Sequence, residues 1–356
     1  MIKIIDFIRT IKQEYDTSQI PFLSKQLERV SITKPYKGLK ILHNIPFTKE
    51  TIVKLEILYA GGADITVRSP SFMEAAPALV DEFKKAGGCW KENNTEDNSC
   101  YDIFMDCAGE LLDHVSPKIG VVEITGTGTQ KYRLAEVEYP VISVDQSEIK
   151  KLEAMLGTGE AFVRAFQEIT REQIHNKEFM IFGFGKVGKG ITRYLSSFTN
   201  KITIIDKSSE NLMEAKKLGF KTIKEDNKEI IESLAPKMFA IVTATGVKDV
   251  ISKNYNPQYF LNSYLANMGG EDEFGFAFDI KDVLCDKKPI NFFINHPTLI
   301  KYLDPVFYAH NMGVDLLLFA NLKNGLHPFP NFLSEEIVLE WESIFKEKLY
   351  PKLTHV

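Results

Sequence analysis

Three glycines and one acid are the residues of this chain whose spacing most clearly implies chemistry. Gly183, Gly185 and Gly188 follow the apolar run Phe179-Met180-Ile181-Phe182, and Asp206 closes a second apolar run, Ile202-Thr203-Ile204-Ile205. A strand, a Gly-x-Gly-x-x-Gly turn, a helix, a second strand and an acid, in that order, suit a dinucleotide. Gly183 permits the tight turn. Gly185 lets backbone approach a pyrophosphate, with Lys186 and Val187 beside it, and Gly188 lets helix and strand pack closely. The helix N-terminus adds partial positive charge. Asp206 accepts hydrogen bonds from a ribose, and its charge opposes a 2′-phosphate, which points to NAD rather than NADP. Two readings of Lys186 stay open: a cation beside phosphate, or a solvated surface charge.

These groups need a scaffold, and the rest of the chain describes one. At 356 residues the chain is long for a single core, so about two domains are expected. Hydrophobic content of 44% and charged content of 26% are those of an ordinary globular protein. A net charge of −5 with mixed signs argues against a nucleic-acid surface. No apolar run approaches bilayer length, and the stretch from Met1 to Tyr15 looks like an amphipathic helix rather than a signal peptide. Cys89, Cys100, Cys107 and Cys285 lie far apart with no Cys-x-x-Cys, which suggests reduced thiols, a cytoplasmic location and no metal site.

Strand and helix patterns alternate along the chain. Strands are expected at Leu39–Leu42, Ala63–Val67, Tyr101–Met105 and Ile119–Ile124, with helices at Lys49–Tyr59 and Ser71–Ala86. A long helical pattern with a glycine interruption, Gly157-Thr158-Gly159, runs from Ser147 to Glu172. Six strands then follow, at Phe179–Phe182, Ile202–Ile205, Thr222–Ile223, Phe239–Ala244, Ser263–Ala266 and Ile290–Ile294. Helices close the chain at Leu303–Leu322 and Ser334–Leu349. The fold class is α/β, with two domains, each a mostly parallel sheet flanked by helices.

Several segments, in order, resemble the S-adenosylhomocysteine hydrolase family. Thr48-Lys49-Glu50-Thr51 looks like its Thr-x-Glu-Thr, and Glu123-Ile124-Thr125-Gly126-Thr127-Gly128 like its Glu-Glu-Thr-Thr-Thr-Gly segment. Ile142 to Ser147 is similar to Ile-Asn-Val-Asn-Asp-Ser, and Gly183 to Gly190 to Gly-Tyr-Gly-Asp-Val-Gly-Lys-Gly. Thr243 to Ile251, Asn267-Met268-Gly269 and His296-Pro297 continue the likeness. The resemblance implies a bound NAD that oxidises a nucleoside 3′-hydroxyl, permits elimination and water addition, and then returns its hydride. It implies a substrate-type domain in residues 1–150 and 297–325, a Rossmann NAD-binding domain in 151–296, and a helical tail in 326–356. The family's closing segment reaches into a neighbouring subunit, so a homo-oligomer is expected, although the last residues here do not match it.

Carried over residue by residue, the resemblance gives NAD the ligands Gly183, Gly185, Lys186, Val187, Gly188, Asp206, Asn211, Thr125, Thr127, Thr245, Gly246, Asn267 and Asn291. Catalytic roles fall to Lys150, His296 and Asp106, and a small-molecule substrate, nucleoside-like in the family, to Thr48, Glu50, His43 and Cys107. Plainer readings stand beside these. Thr48 would cap a helix, Lys150 would be a solvated lysine beside Lys151, His296 a hinge residue, and Cys107 a small buried side chain. His310 and Asn311 would line a cleft or simply find polar partners. The family's second acid of an adjacent pair is replaced by Cys107, its ribose-holding Glu by Ile124 and a His by Gly270. These replacements argue against an intact hydrolase cycle. Three functions follow: an NAD-dependent enzyme on a secondary alcohol, a non-catalytic NAD-binding sensor or scaffold, and a true adenosylhomocysteinase with substituted residues.

Overall fold

The computed structural model describes residues 2–92, 99–114 and 116–350. The end of the expected tail, residues 351–356 with His355, lies outside them. Twelve strands run in chain order among the described residues: β1 (Lys40–Asn44), β2 (Asp64–Arg68), β3 (Cys89–Trp90), β4 (Ile103–Asp106), β5 (Gly120–Glu123), β6 (Pro140–Ser143), β7 (Phe179–Phe182), β8 (Ile202–Asp206), β9 (Lys221–Lys224), β10 (Ala240–Thr243), β11 (Tyr264–Asn267) and β12 (Gly325–Pro328). They form two sheets, ordered β12-β6-β5-β4-β1-β2-β3 and β11-β10-β7-β8-β9. Each recorded pairing is parallel. Parallel sheets are covered on both faces, and the fully buried strands β4, β5, β7, β8 and β10 accordingly read as continuous apolar runs.

The chain divides into two compact units. The first holds Met1–Leu152 and Ile300–Lys348, and the second holds Glu153–Leu299 and Leu349–Val356. The five strands of the second unit have the order of a nucleotide-binding sheet extended to a fifth strand. Among the described residues no helix is long and apolar enough to cross a membrane.

Four expectations about local structure are corrected. The sixth strand at Ile290–Ile294 is instead a 3-10 turn, Ile290–Phe293. Pro289 precedes it, and the Asn291 amide bonds the Pro297 carbonyl at 3.4 Å, a local contact in place of a ladder. The helix expected from Ser71 starts only at Pro77, because proline suits a first helical position and restricts the residue before it. The long linking pattern is a short helix (Glu148–Lys151), a π-helical stretch (Leu152–Gly157) and a helix (Thr158–Thr170). Residues 326–348 are not a separate tail: β12 pairs with β6, and the helix Asn331–Phe345 belongs to the same unit.

One cap comes from a distant part of the sequence. The helix Pro21–Thr33 has no side chain of its own at its N-cap, Ile20. Buried Asp304, on the helix Ile300–Phe319, accepts from the Phe22 and Leu23 N–H groups at 2.9 Å each. Burial pushes the Asp304 carboxyl up to about 7. Asp304→Ala leaves two buried donors unmet and is expected to lower stability by about 2–3 kcal/mol in urea denaturation. A change under about 0.5 kcal/mol would show that this cap carries no weight.

Candidate functional site

In the second unit the glycine turn joins β7 to the helix Lys186–Leu195. Gly183 has φ +95°, the left-handed region open to glycine, and its N–H donates to the Ile205 carbonyl at 2.7 Å. A side-chain carbon at Gly183 would strike the Ala244 carbonyl, and one at Gly188 the Gly183 carbonyl. At Gly185 it would meet nothing within 4 Å, so backbone there borders open space. Gly185 is also the N-cap, and no side chain caps the helix. Gly185 has no side chain to bond the first-turn amides, and a helix start of this kind suits an anion. Lys186 and Val187 sit half-buried on that first turn.

Asp206 ends β8 with its carboxylate already oriented. One oxygen accepts from the Phe184 N–H at 2.6 Å and the Asn211 amide at 3.1 Å, and the other from the Ser208 N–H at 2.7 Å. Three bonds fix it and leave about one of roughly four acceptor positions for a hydroxyl. Asn211 thus holds the acid. An open glycine, an uncapped helix and an oriented acid fit the pyrophosphate and adenosine ribose of NAD.

At the ends of β10 and β11 a residue that the sequence reading did not single out organises the loops. Buried Glu273 accepts from the Thr245 N–H at 2.9 Å, the Thr245 hydroxyl at 2.8 Å and the Gly246 N–H at 2.6 Å. Burial raises its carboxyl above the ordinary range, against those hydrogen bonds. Asn267, expected to bind cofactor, clamps the surrounding loops within the protein. Its amide donates to the Glu271 and Lys287 carbonyls at 2.7 Å, and its oxygen accepts from the Thr243 hydroxyl at 3.0 Å and the Gly269 N–H at 3.1 Å. His296 adopts φ +55°. Arg164, also missed, holds that segment by donating to the Asn295 carbonyl at 3.0 Å and the His296 carbonyl at 2.9 Å while paired with Glu160. Asn291 lies buried nearby in sequence, on the 3-10 turn.

In the first unit, two buried acids stand in register at the ends of β4 and β5, Asp106 and Glu123. Asp106 accepts from the Asn44 amide at 2.9 Å, the Tyr132 hydroxyl at 2.7 Å and the N–H groups of Cys107 at 2.8 Å and Leu111 at 3.0 Å. About four of its acceptor positions are thus filled within the protein. Glu123 accepts from the Thr125 N–H at 2.7 Å, the Thr125 hydroxyl at 2.6 Å and the Gly109 N–H at 3.0 Å. Burial, then the neighbouring Asp106, pushes Glu123 up to about 8. Gly128 is needed here, since a side-chain carbon would strike the Glu123 carboxyl.

Thr125 caps the helix Gly126–Ala135. Its hydroxyl donates to Glu123 and accepts from the Ala108 N–H at 2.9 Å and the Gly128 N–H at 3.1 Å, which is full use. Thr127 is exposed on that helix, and Cys107 is buried.

The other substrate-type residues lie deeper than expected. Thr48 caps the helix Lys49–Ala60 by accepting from the Thr51 N–H at 3.4 Å, the plainer of its two readings. Glu50 is buried and accepts from the Tyr15 hydroxyl at 2.8 Å. His43, expected at the substrate, is wholly buried on β1, with its Nε2 2.9 Å from the Lys54 Nζ. Burial holds both Lys54 and His43 well below their usual ranges, which favours the uncharged form of each. The sequence signal was a lysine inside Ile52-Val53-Lys54-Leu55, on a helix whose residues 50–59 are all buried. His310 is likewise buried, its Nε2 2.9 Å from the Val122 carbonyl oxygen, and the Asn311 amide donates to Gln26 at 3.2 Å. Lys150 is buried on the short helix Glu148–Lys151, its N–H bonded to the Ser147 hydroxyl at 3.4 Å.

Residues 154–287 match the NAD-binding domain of S-adenosyl-L-homocysteine hydrolase. An adenosylhomocysteinase of Sulfolobus acidocaldarius is 27% identical over 293 residues, 75% of this chain and 68% of that protein. An S-inosyl-L-homocysteine hydrolase of Methanocaldococcus jannaschii is 25% identical over 289 residues, 73% of this chain and 68% of that protein. Among solved structures, a putative D-3-phosphoglycerate dehydrogenase oxidoreductase from Ralstonia solanacearum aligns with a TM-score of 0.49 at 11% identity, over 81% of this chain and 96% of that one.

The Glu123 carboxyl keeps its proton to higher pH in the folded state than in the unfolded chain. Between about 4.5 and about 8 the folded state therefore binds more protons, and this group's contribution makes stability fall as pH rises. Urea denaturation at several pH values is expected to show that slope reduced in Glu123→Gln. The same slope in variant and wild type would remove Glu123 as its source.

Proposed function

We propose, on the premise that this chain is an adenosylhomocysteinase-like protein carrying that family's NAD-binding domain, that it is an NAD-dependent enzyme acting on a nucleoside-like or other small molecule with a secondary alcohol. The observation that carries the reading is the constellation of the open Gly185, the uncapped helix Lys186–Leu195 and the oriented Asp206 at the carboxyl ends of β7 and β8. When bound, NAD supplies a hydride acceptor. The glycine turn holds its pyrophosphate, and Asp206 orients the adenosine ribose by accepting from a hydroxyl. By the resemblance, Lys150 or His296 is assigned to the proton of the substrate hydroxyl.

A second reading, a non-catalytic NAD-binding protein, draws support from Asp106, whose carboxylate is fully hydrogen-bonded, and from Ile124 in place of an acid. The relatives' names supply the substrates to try, S-adenosylhomocysteine and S-inosylhomocysteine.

Incubating the protein with NAD and these thioethers or free nucleosides, while following NADH absorbance, separates the readings. Lasting NADH growth is expected for a dehydrogenase, and transient NADH with thiol release for a hydrolase. Tight NAD binding with no redox change under any substrate would overturn the enzymatic reading. Asp206→Ala is expected to weaken NAD binding by on the order of 1–3 kcal/mol by calorimetry, the loss of a charged acceptor. Unchanged affinity would take Asp206 off the ribose.

A further inference from the structure

The strand order of the second unit divides a bound dinucleotide. Asp206 ends β8 on one side of β7, while β10 and β11 lie on the other. With the pyrophosphate on the β7 turn and the adenosine ribose at Asp206, the second nucleoside half falls over the ends of β10 and β11. The loop there is Thr245-Gly246, and Glu273 sits beneath it.

Glu273 is fully buried and takes three of that loop's donors: the Thr245 N–H, the Thr245 hydroxyl and the Gly246 N–H. The Thr245 hydroxyl also accepts from the Val247 N–H at 3.1 Å, so its donor and one of its two acceptor positions are used. A side-chain carbon at Gly269 would strike the Glu273 carboxyl, so the end of β11 is built around this acid. Gly246 has φ +72° and a side-chain carbon there would meet nothing within 4 Å. The loop thus borders open space with its donors turned toward Glu273, and what it has left to offer is acceptors, its carbonyl oxygens above all.

We infer that Glu273 is a positioning residue that sets this loop to offer acceptors to the second ribose and carboxamide of the dinucleotide. This rests on the NAD reading above. A glutamine at 273 keeps the shape but places an N–H₂ against at least one of the loop's N–H groups, and donor against donor forces the loop to turn. The hydrogen bonds of Glu273 run to Thr245 and Gly246, and those of Asp206 on the adenosine side to Phe184, Ser208 and Asn211.

The test compares NAD with ADP, which has the adenosine and pyrophosphate but not the second half. Calorimetry on Glu273→Gln is expected to show NAD affinity reduced tenfold or more and ADP affinity unchanged. Equal losses for both ligands would make Glu273 a general scaffold and overturn the inference, as would no loss for either. Should Glu273→Gln fail to fold, Thr245→Val removes one of the three bonds and is expected to weaken NAD alone, by a smaller factor. An equal effect of Thr245→Val on NAD and ADP, or none on NAD, overturns the inference as well. Failure of the wild-type protein to bind either ligand would instead overturn the NAD reading.

Discussion

The carbonyl oxygen of Gly183 occupies the place where the first side-chain carbon of any other residue at 188 would stand. That contact between two stretches of backbone fixes the angle at which the helix Lys186–Leu195 leaves β7. It also brings the helix N-terminus over the strand end, where an anion can meet it. The constraint propagates along the same helix. A side-chain carbon at Gly190 would strike the Met155 carbonyl, and one at Gly159 the Gly190 backbone. The helix is therefore seated by glycines against the strand before it and against the π-helical stretch and helix of residues 152–170. The glycine turn is part of the unit's packing as well as its nucleotide chemistry.

Buried acids hold the other loops. Asp106, Glu123, Asp206, Glu273 and Asp304 each accept at least one backbone N–H. A carboxylate can meet several amides of a loop at once, with about four acceptor positions and, when ionised, stronger bonds than a neutral acceptor makes. Burial then raises four of these acids, Asp106, Glu123, Glu273 and Asp304, above their usual range. The same groups that order the loops make the protein's stability depend on pH.

The sequence showed the glycine turn and Asp206 clearly because both follow uninterrupted apolar runs. Their spacing is a local property of the chain. The loop acids were not legible in that way. Glu273 lies three residues past Gly270, in a polar stretch with nothing to distinguish it from Glu271 or Asp272 until the loop after β10 folds onto it. Asp304 was hidden for the same reason: its partners are Phe22 and Leu23, far away in the sequence. The pairing of His43 with Lys54 was not legible either, because nothing in the sequence links a strand histidine to a lysine on the next helix. Here one central strand and one enclosed helix bury them side by side. The short strands β3 and β12 gave too little pattern to find, so the chain's return into the first sheet looked like a tail.

That return has a consequence for synthesis. The first unit's sheet ends at β12, and the helix Pro21–Thr33 is capped by Asp304, both encoded after residues 153–299, the main segment of the second unit. A chain emerging N-terminus first thus presents β6 with a bare edge and that helix with unmet amides while residues 153–299 are still being made. The inserted unit, whose strands β7 to β11 are contiguous in the sequence, is free to fold during this interval. The first unit's sheet is started before the second sheet and completed after it, so its early half depends on protection of that edge until residues 300–348 arrive.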